Sequence, residues 1–173
     1  MELIDTHTHI FLPEFREDRE LVISRAEQLG VSCFLMPNVD EQTLPDLMET
    51  ALLHPKSCYP MIGLHPTSVN HATDFSLSWV YEGLRSGRFI AVGEVGLDLY
   101  WDKTFKTEQE RVFRLQLGMA REFMLPVVIH SRESMPEIIS ILNGEPEVPA
   151  KGVFHCFSGT IEEARWAVEK GYY

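Results

Sequence analysis

The sequence has little cysteine and no long apolar run. Cys33, Cys58 and Cys156 are widely spaced and form no CxxC pair, which argues against a disulfide framework and favours a reducing compartment. Each cysteine is expected to be a small buried side chain. No apolar run approaches the roughly 18 residues that span a membrane, and the first residues lack the basic and apolar regions of a secretion signal. These absences predict a cytoplasmic protein that does not bind a membrane.

Positive charge is also scarce. The sequence has 15 Lys and Arg residues and 26 Asp and Glu residues, which gives a formal net charge of −11. This balance argues against a broad basic groove that holds nucleic acid by releasing counterions. A polyanionic substrate would need local positive charge, such as bound cations.

Short apolar runs alternate with segments of helical periodicity along the whole chain. Apolar stripes predict amphipathic helices over 44–52 and 113–124. A βαβα order implies a parallel sheet, either doubly wound or closed as a barrel. The predicted strands are 3–6, 31–36, 59–64, 89–93, 126–129 and 152–154.

Local signals mark several helix ends. Thr107 with Glu110, and Thr160 with Glu163, have the spacing of capping boxes at helix starts. Gly30 and Gly171 stand where helices should stop.

Ionisable residues follow most of the predicted strands. The carboxyl ends of barrel strands meet at one rim, where barrel enzymes carry out their chemistry. The residues concerned are Asp5, His7, His9, His65, Glu94, His130 and His155.

These side chains suit a metal site. His7 and His9 are two residues apart, so in an extended segment both can reach one ion. Glu94 can bridge two cations with its two oxygens, or it can be a turn glutamate. His130 and His155 follow strongly apolar strands and are either ligands or hydrogen-bonded core histidines. Together, five nitrogen and oxygen donors suit two divalent ions, with Mg²⁺, Mn²⁺ and Zn²⁺ all compatible. Two such ions can activate water and hold the oxygens of a phosphodiester.

Other polar residues lie close to this rim in the sequence. His65, in GLHP, is a candidate substrate contact or a loop cap. Arg132 can bind a phosphate with its planar fork or form a salt bridge with a carboxylate. Asp98 can accept a hydrogen bond from an imidazole or close a turn.

Three aromatic residues follow the Glu94 segment. Tyr100, Trp101 and Phe105 can stack on a base or cover the rim, and packing is the favoured interpretation. His54 and His71 follow no strand pattern and are interpreted as surface residues.

Five segments identify a resemblance. In their order and spacing, IDTHTHI, GLHP, VGEVGLD, LPVVIHSR and GVFHCFSG closely resemble the TatD family of metal-dependent deoxyribonucleases, in the amidohydrolase superfamily. The resemblance implies a TIM-like barrel and a cytoplasmic exonuclease that acts on DNA. It places His7 and His9 on one metal, Glu94 between two metals, and His130 and His155 on the second, and makes His65 a catalytic or substrate-binding residue.

One part of the family pattern is absent from residues 1–173. The pattern continues to an eighth strand that ends in a metal-binding aspartate. The expected fold is therefore α/β, an incomplete TIM-like (β/α) barrel with about six of eight βα units in one domain, 1–173. The complete protein is expected to be a monomer, and this segment alone to have weak or absent activity. Two alternatives stay open: a deacylase that hydrolyses an amide or ester with the same residues, and a fragment without catalytic activity.

Overall fold

A computed structural model describes residues 2–144 and 151–173. Within these ranges, strands and helices alternate as the apolar runs predict. The strands are β1 (Leu3–Asp5), β2 (Val31–Pro37), β3 (Cys58–Met61), β4 (Val92–Asp98), β5 (Val127–Arg132) and β6 (Gly152–His155). The helices are α1 (Arg19–Gln28), α2 (Leu44–Leu53), α3 (Ser78–Arg85), α4 (Lys106–Glu122), α5 (Met135–Gly144) and α6 (Ile161–Glu169), with 3₁₀ turns at Pro13–Phe15 and Pro66–Ser68.

The strands form an open parallel arrangement. β1, β2 and β3 pair in that order in one sheet, and β4, β5 and β6 pair in a second. A bridge between Ile62 and Val92 links the two, and a bridge between Gly152 and Tyr172 continues past β6. Within the described ranges the sheets do not close on themselves. The α/β fold of an incomplete TIM-like barrel is therefore confirmed.

Apolar side chains are exposed on both outer strands. Leu3 and Ile4 of β1 are 43% and 58% exposed, and Val153 of β6 is 38% exposed. On β1, whose outer edge is unpaired in the described ranges, such exposure is what an open barrel is expected to leave.

The fourth strand lies further along the chain than predicted. The sequence indicates 89–93, whereas β4 spans Val92–Asp98 and all seven of its residues are buried. Glu94 is therefore inside the strand rather than after it, and Asp98 is the residue that ends it. The prediction was wrong because glycine and carboxylate are uncommon in strands, so the run VGEVGLD gives no strand pattern of its own.

The helix boundaries confirm most of the local signals. Thr160 and Glu163 form the predicted capping box at the start of α6. Gly30 and Gly171 adopt positive φ after α1 and α6. The box predicted at Thr107 is wrong, because α4 begins at Lys106 and no side chain caps it. Met124, assigned to the apolar stripe, lies beyond α4 and is exposed. No helix in the described ranges is long and apolar enough to cross a membrane.

The cysteines differ in their surroundings. Cys58 is buried, Cys33 is half-buried and Cys156 is exposed. The expected burial of Cys156 was wrong because this residue follows the end of β6, with φ of 50°, and lines an open cleft.

Gly96 offers a test of the β4 geometry. Its φ is 139°, and a Cβ there would overlap the carbonyl oxygen of His130. We expect Gly96→Ala to lower the free energy of unfolding by about 2–4 kcal/mol, measured by urea denaturation. Gly118→Ala is the matched control, because nothing lies near that position in α4. The control should raise stability by about 0.5–1 kcal/mol, and an equally stable Gly96→Ala would contradict the β4 geometry.

Candidate metal centre

The strand ends surround one cleft of about 680 Å³. The structure brings together residues that are far apart in the sequence and that the strand-end pattern placed at a common rim. Asp5 does not line the cleft, and the ionisable residues that do are His7, His9, His65, Glu94, His130, Arg132, His155 and Cys156.

Glu94 lies at the centre of these side chains and is 2% exposed. Its Oε2 is 3.0 Å from His7 Nε2, 3.9 Å from His9 Nε2 and 3.8 Å from His65 Nε2. Its other oxygen, Oε1, is 3.0 Å from His130 Nδ1. One buried carboxylate therefore faces four imidazoles, with its two oxygens directed to different partners.

These donors fit divalent cations. The ligand atoms of His7, His9 and Glu94 lie within 4.8 Å of one another, as do those of His65, Glu94 and His130. A hydrogen-bonded core histidine would have its ring nitrogens satisfied. Instead, the buried Nδ1 atoms of His7 and His9 have no hydrogen-bond partner among the described residues. A set of imidazole nitrogens and a carboxylate, without thiolate, suits Zn²⁺, Mn²⁺ or Mg²⁺.

His155 lies in the cleft but outside both groups. Its ring stacks on that of His7, with centroids 3.4 Å apart and planes 11° from parallel. The contact joins the segment that follows β1 to the last residue of β6, and these are the outer strands of the two sheets. The family resemblance pairs His155 with His130, whereas the structure groups His130 with His65 and Glu94.

The protonation of His65 follows from its hydrogen bonds. The Thr67 amide donates to His65 Nδ1 at 3.2 Å and the Thr67 hydroxyl lies 2.7 Å from the same nitrogen, an arrangement that favours the neutral ring with its proton on Nε2. Burial lowers the pKa of His65 to about 4, and the nearby Glu94 charge offsets this only in part. The ring is therefore neutral at pH 7 and presents an N–H donor to the cleft.

Asp98 fixes the ring of His130. Its Oδ2 is 2.9 Å from His130 Nε2, and its Oδ1 accepts hydrogen bonds from the amides of Tyr100 and Trp101. Asp98 thus fills both of its predicted roles, the imidazole contact and the turn. Burial lowers the pKa of His130, but the hydrogen bonds and charges of Glu94 and Asp98 outweigh burial and raise it.

Burial and the neighbouring side chains also shift the pKa values of Glu94, His9 and His155. Burial would raise the pKa of Glu94, but hydrogen bonds with His130 and His7 outweigh it and hold the pKa well below its usual range. Burial and the neighbouring His7 lower the pKa values of His9 and His155. Because its pKa is lowered, the Glu94 carboxylate is ionised at neutral pH.

Arg132 does not form the salt bridge with a carboxylate of the described residues that was one of its two predicted roles. Its guanidinium lies 4.1 Å from the ring centroid of Tyr100 and 5.1 Å from that of Trp101. No carboxylate in the described part of the chain is within 4 Å of its nitrogens. The packing predicted for the aromatics holds for Phe105, which lies against the core. It is wrong for Tyr100 and Trp101, which are 49% and 69% exposed, because Asp98 holds their backbone at the protein surface.

Two glutamines that the sequence analysis missed hold the segments behind the cleft. The buried side chain of Gln116 bonds to both the amide and the carbonyl of Leu64, next to His65. Gln109 bonds in the same way to the backbone of Asp98. The sequence feature that could have revealed them is the seven-residue spacing of two glutamines on the apolar face of α4.

The effect of the neighbouring carboxylates on the His130 pKa can be tested. In metal-free protein we expect the His130 pKa to exceed 6.5, and Glu94→Gln to lower it because a neighbouring negative charge is lost, measured by NMR titration of the ring. Because folding raises this pKa, protonated His130 stabilises the fold below about pH 6.5, and this contribution is lost as the pH rises through the folded-state value. Exposed Glu41 provides the control Glu41→Gln. An unchanged His130 pKa in Glu94→Gln would refute this electrostatic account.

Known proteins resemble the chain along nearly its whole length. An uncharacterized metal-dependent hydrolase of Bacillus subtilis, YabD, is 34% identical over 171 residues, covering 99% of this chain and 67% of its own. A protein of Pectobacterium parmentieri named 3′-5′ ssDNA/RNA exonuclease TatD is 33% identical over 162 residues, covering 93% and 62%. The chain therefore spans about two thirds of the length of these relatives.

Solved structures agree with the fold. The crystal structure of YjjV, a TatD homologue from Escherichia coli K12, has a TM-score of 0.90 at 32% identity and covers 98% of this chain and 66% of its own. A TatD-family hydrolase from Entamoeba histolytica has a TM-score of 0.81 at 23% identity, covering 99% and 64%, and supports the fold alone. The sequence profile described as TatD related DNase matches residues 4–173. The chain belongs to the TatD-related DNase family of metal-dependent hydrolases.

Proposed function

We propose that this chain contributes the cleft of a nuclease that removes nucleotides from single-stranded DNA or RNA, using two divalent cations. The observation that carries the proposal is the buried Glu94 carboxylate with four imidazoles directed at it. The names of the relatives, metal-dependent hydrolase and 3′-5′ ssDNA/RNA exonuclease, support it. The deacylase alternative is not favoured by these names.

The cleft residues divide between the two cations. In the proposal His7, His9 and Glu94 would hold one cation, and Glu94, His130 and His155 would hold the second, with Mg²⁺, Mn²⁺ and Zn²⁺ all compatible. The separate directions of the two Glu94 oxygens support a bridging role. When bound, the cations supply the positive charge that lowers the pKa of water and neutralises the phosphodiester.

His65 is the proposed contact with the reacting phosphate. Because Thr67 donates to its Nδ1, its Nε2 carries a hydrogen and has no free lone pair for a cation. An N–H directed into the cleft can donate to a phosphate oxygen or to the leaving oxygen. This favours His155 over His65 as the remaining ligand of the second cation.

Glu94 and Asp98 act through their charge and position. Glu94 stays ionised, so it can hold cations across the physiological pH range. Asp98 holds the His130 ring through Nε2, leaving Nδ1 facing Glu94. Asp98 is therefore a positioning residue in this scheme. Arg132 is a proposed substrate-binding residue at the rim.

The wider proposals follow the family. They are a single catalytic domain that lacks its C-terminal βα units within 1–173, a monomeric complete protein and a cytoplasmic location.

Cleavage of a labelled single strand tests the function. We expect a 5′-labelled DNA oligonucleotide to be shortened from its 3′ end in Mg²⁺ or Mn²⁺, and EDTA to stop the reaction. The rate should be lower than that of a full-length relative. Glu94→Gln should reduce it by at least about 100-fold, because the charge that holds both cations is lost.

His71→Ala is the control for that assay, since His71 is exposed and outside the cleft. Its rate should equal that of the unmodified chain. Cleavage that persists in Glu94→Gln would indicate a contaminating nuclease. Absent cleavage by residues 1–173 agrees with the weak or absent activity expected of this segment alone, whereas a complete, folded and cation-loaded protein that cleaves neither DNA nor RNA would refute the proposal.

Cation stoichiometry tests the different roles of His65 and His155. We expect His155→Ala to bind about one cation fewer than the unmodified chain, because a ligand is lost. His65→Ala should keep the full number while losing cleavage. Calorimetric titration with Zn²⁺ or Mn²⁺ measures both, and the opposite pattern would assign His65 to the cation and His155 to the substrate.

A further inference from the structure

Two adjacent aromatic side chains stand exposed beside the cleft. The rings of Tyr100 and Trp101 lie 4.8 Å apart at 84°. Both follow β4 directly, and both are largely open to solvent. Paired exposed aromatics form a surface on which a flat ligand can stack.

A guanidinium connects these rings to the cleft. Arg132 lies over both rings and also lines the cleft with the histidines. β4 and β5 pair in register, with Asp98 opposite Arg132, and the Leu99 amide donates to the Arg132 carbonyl at 2.9 Å. The aromatic pair therefore contacts, through Arg132, a side chain that lines the candidate metal centre.

The backbone of the aromatic pair is held by the same residue that holds a cleft histidine. Asp98 Oδ1 accepts hydrogen bonds from the Tyr100 amide at 3.1 Å and the Trp101 amide at 3.3 Å. Its second oxygen contacts His130 at 2.9 Å. A surface held in place before binding loses little freedom when a ligand arrives.

The chemistry of this surface suits a nucleobase. Aromatic rings and guanidinium planes stack on bases of any sequence, and arginine can also pair with phosphate. A purely apolar partner would leave the Arg132 charge covered and without a partner, at a cost in free energy. In a chain with net charge −11, stacking also supplies attraction that long-range electrostatics does not.

We infer that Tyr100, Trp101 and Arg132 form a stacking site for an unpaired base of the substrate strand. The inference rests on the proposed function for the class of ligand, a single-stranded nucleic acid. It adds that the base, and not only the phosphate chain, is recognised beside the cleft.

Binding without cleavage tests this site. Fluorescein-labelled oligothymidylate and an abasic oligonucleotide of equal length are titrated with the chain at low salt in EDTA, and anisotropy is recorded. The chain should bind oligothymidylate about tenfold more tightly than the abasic strand. Trp101→Leu should remove most of this preference, and Trp101→Phe should retain it, because the phenyl ring still stacks.

Tyr173→Leu is the matched control. Tyr173 is 86% exposed and does not line the cleft, so its loss should leave both affinities unchanged. Circular dichroism confirms that each variant is folded. Equal binding of the two strands, no binding of either, or a base preference that survives Trp101→Leu would each overturn the stacking site.

The binding assay separates this inference from the proposed function, because no cation is present and no bond is cleaved. A complete protein that binds bases through Trp101 but cleaves nothing in Mg²⁺ or Mn²⁺ would retain the stacking site and refute the nuclease proposal. A chain that cleaves equally well with Trp101→Leu and shows no base preference would refute the stacking site and leave the nuclease proposal standing.

Discussion

The burial of the Glu94 carboxylate is the constraint on which the rest of the site depends. An ionised carboxylate removed from water is unstable unless partners compensate for its lost hydration. His7 and His130, at 3.0 Å from its two oxygens, provide that compensation from the segment after β1 and from β5. A strand carrying this charge can be buried only where its neighbours bring imidazoles, so the arrangement of strands and the chemistry of the cleft are fixed together.

The order of strands and helices was predictable, whereas the limits of the central strand were not. Short apolar runs separated by helical stripes identify βα units, because parallel strands are covered on both faces. β4 breaks that pattern with Gly93, Glu94 and Gly96. Its extended conformation comes from pairing with β5, a long-range interaction that a local pattern does not contain. Predicting Glu94 at the strand end therefore placed it in the right region but in the wrong element.

The candidate site was predictable as a group of residues but not in its contacts. Histidines after successive strands indicate a shared rim, since topology alone brings those strand ends together. The proton position on His65 depends on the Thr67 amide, and the exposure of Trp101 depends on Asp98. Each of these follows from one hydrogen bond in a loop. Periodicity carries no information about such bonds, which explains why packing was wrongly favoured for Tyr100 and Trp101.

Electrostatics explains how an acidic chain can serve a polyanionic substrate. Burial lowers the pKa values of His9, His65 and His155, so these imidazoles are neutral donors or ligands at pH 7 rather than positive charges. In the described part of the cleft, positive charge therefore comes from Arg132 and from His130 below its raised pKa, and bound cations would add the remainder. Because cations attract phosphate most strongly at short range in a confined cleft, the net charge of the whole chain has little influence there. In the proposed function, bound cations would therefore strengthen the binding of nucleic acid beyond what Arg132 and base stacking provide.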